Sequence, residues 1–139
     1  MATTPLFTAI MTQFNSKIGG VANPFNVAVN GVLYPGEAPP EASFPYAVFL
    51  LVSDQAEWTF TDYQENCQIQ FSIFGDAGDS VMAAGDALMA LYDWCALTIP
   101  GYRSLYMRRS GSQLLRTSLT PNVDVWHFII EYDVLMEKN

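Results

Sequence analysis

The side chains best able to do chemistry in this sequence lie near its C-terminal end. His127, Glu131 and Asp133 occur at even spacings in a strand-like segment, so an extended backbone places all three on one face. His127 is the only histidine. At ~3.3 Å per residue it lies about 13 Å from Glu131, too far for a shared metal ion or a proton relay. The residue types permit acid–base chemistry, but their spacing argues against it.

Two other patterns that accompany catalysis or nucleotide binding are incomplete. Residues 75–78, Gly-Asp-Ala-Gly, lie where a phosphate-binding turn would lie, but they lack the lysine and the glycine spacing of such turns. No Gly-x-Ser-x-Gly segment occurs, and no serine or cysteine is identifiable as a partner of the histidine. A carboxylate pair of the glycosidase type stays open, because 14 acids always offer some pair. We predict a protein that is not an enzyme, with no metal and no cofactor.

Positive charge is confined to one window of an acidic chain. All arginines lie in it, and no acid does: Arg103, Arg108, Arg109 and Arg116. The net charge of −8 therefore divides into +4 inside the window and −12 outside it. Two interpretations stay open, ordinary surface solubility or a basic patch that faces an acidic partner or a phosphate. Tyr102 and Tyr106 interleave with the arginines as in a nucleic-acid contact, but the acidic remainder opposes that binding.

The composition predicts one compact domain, residues 1–139, with much of its surface hidden. Half of the residues are hydrophobic and only 14% are charged, which favours contact with copies of the same chain. Cys67 and Cys95 fall on predicted apolar faces and are expected to be reduced core residues. No signal-peptide pattern and no apolar run of ~18 residues occurs, so we expect a protein of the reducing cytoplasm with no membrane partner.

The N-terminal third is predicted to be a helix followed by a long loop. Thr4 and Pro5 favour a helix start, and Gly19 and Gly20 favour its end. The expected core stripe recurs at helical spacing: Phe7, Ile10, Met11, Phe14 and Ile18. Residues 21–45 are rich in Pro and Gly and predict an irregular connection, with a short strand at 32–34. Such a loop often makes contacts, so Tyr34 and Pro35 become candidates for a subunit interface.

The middle of the chain predicts two strands and a helix. The apolar run 46–53 predicts a strand covered on both faces, and the acidic, aromatic residues 54–63 predict a hairpin tip or projecting loop. Residues 64–74 alternate as a half-buried strand. Asp76 is then expected to cap a helix, with Asp79 in its first turn. The expected buried helix face is Val81, Ala84, Leu88, Leu91 and Cys95.

The helix also carries an acidic stripe, Asp79, Asp86 and Asp93, which is either a solvated face or a surface that meets arginines of a neighbour. Beyond it, residues 103–109 and 113–119 predict a hairpin that turns at residues 110–112 and carries every arginine. Residues 120–122 predict a turn. The last strand has one apolar face: Trp126, Phe128, Ile130, Tyr132, Val134 and Met136.

In this order of elements the sequence resembles the tail completion, or tail terminator, proteins of long-tailed bacteriophages. The resemblance covers nearly the whole chain and lies in three segments. Residues 33–39, Leu-Tyr-Pro-Gly-Glu-Ala-Pro, lead into Phe-Pro-Tyr-Ala-Val at 44–48, and residues 68–74 lead into an alanine-rich helix. The third segment is the final strand at 126–134. These motifs are hydrophobic patterns with prolines, and the family has no catalytic residues to carry over.

The resemblance implies an α+β fold, with a mostly antiparallel sheet of about four to five strands and the N-terminal and central helices on one face. It implies a virion protein that is assembled in the host cytoplasm and forms a ring, expected to be a hexamer. The implied ring ends the tail tube on the side of the head, stops the tube protein from polymerising and meets the head connector. DNA passes through its hole without sequence-specific binding. A head-side neck protein and a small cytoplasmic binding module remain alternatives.

Unlike charges suggest how such subunits would meet, since a head-to-tail contact brings different faces together. We expect the arginine window to meet acids of the next subunit or of the tube, from the helix stripe or from Glu57 and Asp62. A competing placement turns the arginines towards DNA in the hole.

Overall fold

The structure, a computed structural model, describes residues 3–58, 62–120 and 123–139. The described elements follow the chain in this order: α1 (Thr3–Phe14), β1 (Lys17–Ile18), β2 (Val21–Ala22), α2 (Pro24–Ala28), β3 (Leu33–Pro35), β4 (Tyr46–Trp58), β5 (Tyr63–Gly75), α3 (Gly78–Tyr92), β6 (Tyr102–Thr120) and β7 (Val123–Lys138). None of the described helices is long and apolar enough to cross a membrane.

The main sheet has the strand order β3-β4-β5-β7-β6. Three of its four pairings are antiparallel, and only β3 runs parallel to its neighbour β4. The predicted α+β fold with a mostly antiparallel sheet is therefore confirmed. The short strand predicted at 32–34 is present as β3. A separate pair, β1 and β2, forms a small hairpin.

All three helices pack on one face of the sheet. The fully buried side chains of that face come from each helix and from alternate residues of β4, β5 and β7: Leu6, Ile10, Phe14, Phe25, Val81, Leu88, Tyr92, Phe49, Ile69, Phe71, Ile73, Ile130, Tyr132, Val134 and Met136. The alternation is the direct result of the two-residue period of a strand. The predicted apolar face of the last strand is thus confirmed, with Trp126 and Phe128 partly buried at its end.

The N-terminal helix ends at Phe14, earlier than the glycines predicted. Its last carbonyl groups are taken up by side chains, because Asn23 Nδ2 donates to the oxygens of Phe14 (2.8 Å) and Ser16 (2.9 Å). Gly19 and Gly20 instead form the two-residue turn of the β1–β2 hairpin, where both have positive φ. Ile18, expected in the helix stripe, is 60% exposed.

Residues 21–45 also contain a helix that the sequence pattern did not indicate. The same Asn23 begins α2, because its Oδ1 accepts a hydrogen bond from the backbone N–H of Asn26 (2.9 Å). Pro24 follows in the first turn, and Phe25 is buried in the core. One asparagine therefore ends α1 and starts α2, which explains why a segment with so many turn residues is ordered.

The central helix starts and packs differently from the prediction. Ala77 occupies the N-cap position of α3 without a side-chain hydrogen bond, so Asp76 is not the cap, although Asp79 does lie in the first turn. Val81, Ala84 and Leu88 are buried as predicted, whereas Leu91 is only partly buried and Cys95 lies beyond the end of the helix. Tyr92 is the buried residue of the last turn, because a 3.6-residue period brings it below Leu88.

The predicted arginine hairpin is wrong. Residues 102–120 form the single strand β6, which pairs with β7 from Tyr102↔Lys138 to Thr120↔Val123. Ser110 lies where the register shifts between Arg109 and Gly111, so it marks a bulge rather than a turn. A Ser-Gly-Ser segment is compatible with a turn or with a bulge. Pairing with the long apolar strand β7 on both sides of the segment selects the bulge. The predicted turn at 120–122 falls partly outside the described residues.

Strand β4 also departs from its prediction. It continues to Trp58, and its residues 54–58 pair with β5, so most of the predicted projecting loop is sheet. The rest of that loop lies mainly outside the described residues. Only one face of β4 is covered by helices, which bury Ala47 and Phe49. On the other face Val48 is buried and Leu50 is half-buried, whereas Val52 is 48% exposed, so the predicted covering of both faces holds only for the start of the strand.

Candidate subunit interface

The four arginines all lie on β6, and each makes an ion pair within its own chain. Three pairs have the distances Arg108–Asp133 3.5 Å, Arg109–Asp93 3.4 Å and Arg116–Asp124 2.8 Å, and the fourth joins Arg103 to Glu137. Three of the acids are on β7 and one ends α3. Acids that lie 8 to 34 positions from their arginines in sequence thus neutralise the window in the fold, three of them because β6 and β7 are neighbours.

In every pair the arginine is the more exposed partner. The exposed fraction of the side chain is 67% for Arg103 and 56% for Arg116, against 17% for Glu137 and 34% for Asp124. Arg116 also lies over the Trp126 ring, 5.6 Å from its centre, and Arg108 lies 5.1 Å from the centre of the Tyr106 ring. The guanidinium groups are held in place yet open to solvent, so a second anionic partner can reach them.

The predicted acidic stripe divides between two environments. Asp79 and Asp86 are exposed on α3. Asp93 accepts a hydrogen bond from Tyr132 Oη (2.6 Å) in addition to its pair with Arg109. Of the other two candidate acids, Asp62 is exposed, and the side chain of Glu57 lies outside the described residues. The structure therefore joins an arginine to one stripe residue of its own chain, and the intersubunit role of all these residues stays a prediction.

Tyr34 and Pro35 lie in β3, at the opposite edge of the sheet from β6. Tyr34 packs edge-on against Tyr46, with ring centres 6.3 Å apart, and is half-buried. Pro35 is exposed and ends the strand, and Gly36 follows with a φ of 80°. The two candidate groups of the sequence, the arginines and the Tyr-Pro segment, therefore mark the two edges of one sheet.

The sheet face without helices carries a row of stacked rings. The rings follow in the order Phe44, Tyr46, Phe74 and His127, and the distances between successive ring centres are 5.6, 5.2 and 4.1 Å. The register then places Leu115 of β6 beside His127. Further along the same face the composition changes to amides on β5 and acids on β7: Gln64, Asn66, Gln68, Gln70, Glu131, Asp133 and Glu137. One end of this face is apolar and the other is polar.

His127 belongs to the apolar end, as a half-buried residue. Its ring stacks on Phe74 at an angle of 19°, and its Nε2 is buried without a hydrogen-bond partner among the described residues. Burial lowers the pKa of the imidazole, so the neutral ring is favoured. Glu131 and Asp133 lie further along the same strand face, consistent with the spacing that argued against a shared catalytic site.

A polar cluster that the sequence did not suggest lies near the tip of the β4–β5 hairpin. A carboxylate oxygen of Asp54, a carboxylate oxygen of Glu65 and the sulfur of Cys67 lie within 4.8 Å of one another. Glu65 is only 1% exposed. The Tyr63 hydroxyl donates to Glu65, which raises the pKa of Tyr63 to about 12. Burial raises the pKa of the Cys67 thiol to about 12, so the thiol stays protonated at neutral pH. The cluster is best described as a hydrogen-bonded network.

Cross-strand pairing creates this cluster, because Asp54 lies opposite Cys67 and Glu65 opposite Ala56. Burial, followed by the hydrogen bond and the charge of Glu65, raises the pKa of Asp54. The sequence offered one signal for this cluster. The acid Glu65 lies on the same strand face as the buried residues Cys67 and Ile69. An acid in phase with a core face needs a partner, and here that partner is another carboxyl group.

The comparisons with known proteins show the fold. No protein-family model and no curated protein matches the chain. Among solved structures it is similar to a chain of the virion of a native gene transfer agent particle, with a TM-score of 0.76, 14% identity and coverage of 98% of this chain and 97% of that one. A second solved chain, whose name states no function, has a TM-score of 0.51 and 16% identity, with 96% of each chain covered.

Proposed function

We propose that this protein is a structural virion protein that forms a ring at the head-proximal end of a phage-type tail tube. The ring ends polymerisation of the tube and joins the tail to the head connector. The observation that carries the proposal is the likeness, over nearly the full length of both chains, to a component of a gene transfer agent virion. At 14% identity this likeness supports the fold directly and the role only by analogy.

The exposed surface of the subunit favours association with further copies of the chain. Helices cover only one face of the sheet, and apolar side chains such as Phe44, 39% exposed, and Val52, 48% exposed, remain open to solvent. β6 is exposed along residues 108–118. A monomer that leaves this much regular structure open gains from association, because contact with a neighbour removes apolar area from water.

The charges fit a ring through which DNA passes without being held. The net charge of −8 disfavours tight binding of a polyanion. The arginines are paired with acids of the same chain, so they give the surface little net positive charge to attract a phosphate backbone. In this proposal the partners are copies of the chain, the tube protein and the head connector. The protein is assembled in the host cytoplasm, and its function is structural rather than enzymatic.

Deletion of the gene from its phage tests the role. We expect electron micrographs of the lysate to show overlong tails of uneven length detached from full heads. Tails of normal length beside leaking or unjoined heads would instead place the protein on the head side of the neck. Normal infectious particles would contradict a virion role and favour a small binding module.

A further inference from the structure

Residues 108–118 of β6 form the longest run of exposed residues within a helix or strand in the described part of the chain. Every one of these residues is exposed, so neither face of the strand is covered. β6 lies at the edge of the sheet and pairs only with β7. Among the described residues, one backbone hydrogen bond reaches the outer side of β6 beyond Tyr102. The Trp94 N–H donates it to the Met107 oxygen, at 2.8 Å. From Arg108 onward the edge is open.

The open edge is regular enough to accept another strand. Register shifts occur between Arg109 and Gly111 and again between Ser118 and Thr120, but the pairs from Gly111↔Glu131 to Ser118↔Asp124 follow without interruption. Bulges, prolines and short length are the usual means of blocking an edge, and none of them occurs between these points. Unpaired N–H and C=O groups along such a stretch form a template for β-sheet extension.

The opposite edge of the sheet is short and acidic. β3 has three residues, and exposed Glu37 and Glu41 follow it. No lysine or arginine occurs between residues 18 and 102. A groove of about 300 Å³ lies beside β3, with Val32, Tyr34 and Glu41 in its wall. This groove offers an apolar surface and a carboxylate, which match the exposed leucines and arginines of β6.

The sheet face without helices also supports contact between the β6 edge and the β3 edge. Its row of rings runs from Tyr34 at the β3 edge through Tyr46, Phe74 and His127, and ends at Leu115 on β6. Leu115 is 39% exposed. The apolar row therefore reaches both edges, and edge-to-edge contact would continue it from one subunit into the next.

From these observations we infer that the open edge of β6, residues 111–118, docks against the β3 edge of a second copy of this chain. Leu115, on the same sheet face as Tyr34, enters the groove beside β3, and Arg116 on the opposite strand face meets Glu37 or Glu41 of that copy. This inference rests on the proposed ring and deepens it, because it assigns the subunit contact. A repeated contact between unlike edges gives a ring when the rotation between subunits closes and a filament when it does not, whereas a contact between like edges ends at a dimer.

Charge disfavours the two-fold alternative. Pairing of β6 with β6 of a second copy would bring Arg109 and Arg116 of both chains together, and like charges at an interface oppose association. Contact between the arginines of β6 and the acidic β3 edge is attractive instead. The arginines keep acids of their own chain in this arrangement, and their exposed guanidinium groups gain a second carboxylate.

Cross-linking tests the contact directly. Gln113→Cys on β6 and Glu37→Cys beyond β3 replace exposed residues in a Cys95→Ser background, because the native Cys95 is only partly buried whereas Cys67 is buried. With a short bismaleimide, we expect the double variant to give a ladder of covalent oligomers that ends at the ring size. Each single variant and the unmodified protein, which serve as controls, should give no ladder.

The outcomes separate this contact from the ring itself. Covalent dimers from Gln113→Cys alone would show β6 against β6 and overturn the inference. Rings visible by electron microscopy with no ladder from the double variant would overturn the inference and leave the proposed function standing. A protein that stays monomeric at every concentration, alone and with assembled tube, would count against both.

A charge exchange gives an independent measurement. Arg116→Glu should weaken assembly at least tenfold in the concentration required, measured by analytical ultracentrifugation. Glu37→Arg together with Glu41→Arg should do the same, and the combined variant should recover most of the loss. Asp86→Arg on α3 is the matched control and should change little. Rescue of Arg116→Glu by Asp86→Arg, and not by the changes at 37 and 41, would place the contact on the helix instead.

Discussion

Strands β7 and β6 pair along almost their whole length, but they differ in what their side chains touch. β7 buries four side chains completely, Ile130, Tyr132, Val134 and Met136, whereas the only buried residue of β6 in the described part of the chain is Met107. Burial in the core therefore explains the residues of β7. It does not explain those of β6 beyond residue 107, which are available to form contacts with other chains.

The largest expected difference between the two strands is in core packing. Ile130→Ala on β7 should lower the free energy of unfolding by roughly 2–5 kcal/mol, because it leaves a cavity among buried side chains. Leu115→Ala on β6 should change it by about 0.5 kcal/mol or less, because the leucine is 39% exposed. Urea unfolding of the two variants measures this. Equal losses would show that β6 is a core strand.

Two glycines give the next comparison. A Cβ at Gly85 of α3 would lie 2.5 Å from the Phe128 ring of β7, whereas a Cβ at Gly111 of β6 would meet nothing within 4 Å. Gly85→Val should cost roughly 1–3 kcal/mol through overpacking. Gly111→Val should be neutral or slightly stabilising, because valine favours strands. Thermal unfolding measures both, and a costly Gly111→Val would mean that the bulge requires glycine.

Two tyrosines sharpen the comparison further. Tyr132→Phe removes the hydroxyl that donates to Asp93, a hydrogen bond to a charged group, and should cost roughly 1.5–3 kcal/mol. Tyr106→Phe keeps the ring contacts with Trp94 and Arg108 and should change stability by about 0.5 kcal/mol or less. If the two changes had equal effects on unfolding, the link from β7 to the end of α3 would not matter.

The smallest expected effects concern acids with opposite pKa shifts. Asp54, beside Glu65, has a raised pKa, so its stabilising contribution is present below the unfolded value of 3.8 and is lost as pH rises through the folded pKa. Asp54→Asn should therefore stabilise at neutral pH, by less than about 1 kcal/mol because the site is accessible. The advantage should disappear on acidification.

Asp124, the second residue of β7, should behave in the opposite way. The Ser118 hydroxyl and then Arg116 lower its pKa, so its contribution is present above 3.8 and is lost as pH falls through the folded pKa. Asp124→Asn should destabilise at neutral pH, with the difference closing in acid. Unfolding curves of both variants between acid and neutral pH measure this, and shifts of the same sign would contradict the assignment.

Local patterns predicted the elements whose residues alternate or recur around a buried face. The final strand, the central strand and the face of α3 around Val81, Ala84 and Leu88 were confirmed, because burial leaves a periodic trace in the sequence. The predictions that were wrong fell where local signals suit two structures. Ser-Gly-Ser at 110–112 fits a turn or a bulge, and Gly19–Gly20 fits a helix end or a hairpin.

The candidate site depended more strongly on the fold. The sequence showed four arginines in one window, but not that Asp93, Asp124, Asp133 and Glu137 would neutralise them, because those pairs join residues up to 34 positions apart. The Asp54–Glu65 network was missed for the same reason, since it follows from cross-strand register. Its only local trace was an acid in phase with a buried face.

The sequence by itself determined the sheet-forming segments and the confinement of positive charge to residues 103–116. These depend on composition and on short-range periodicity, which any chain carries along its length. Only the tertiary structure decided that β6 is one open edge strand, that Tyr34 and Pro35 lie at the other edge, and that a row of rings connects the two. Strand order and register arise from pairings between distant residues, so no local pattern contains them.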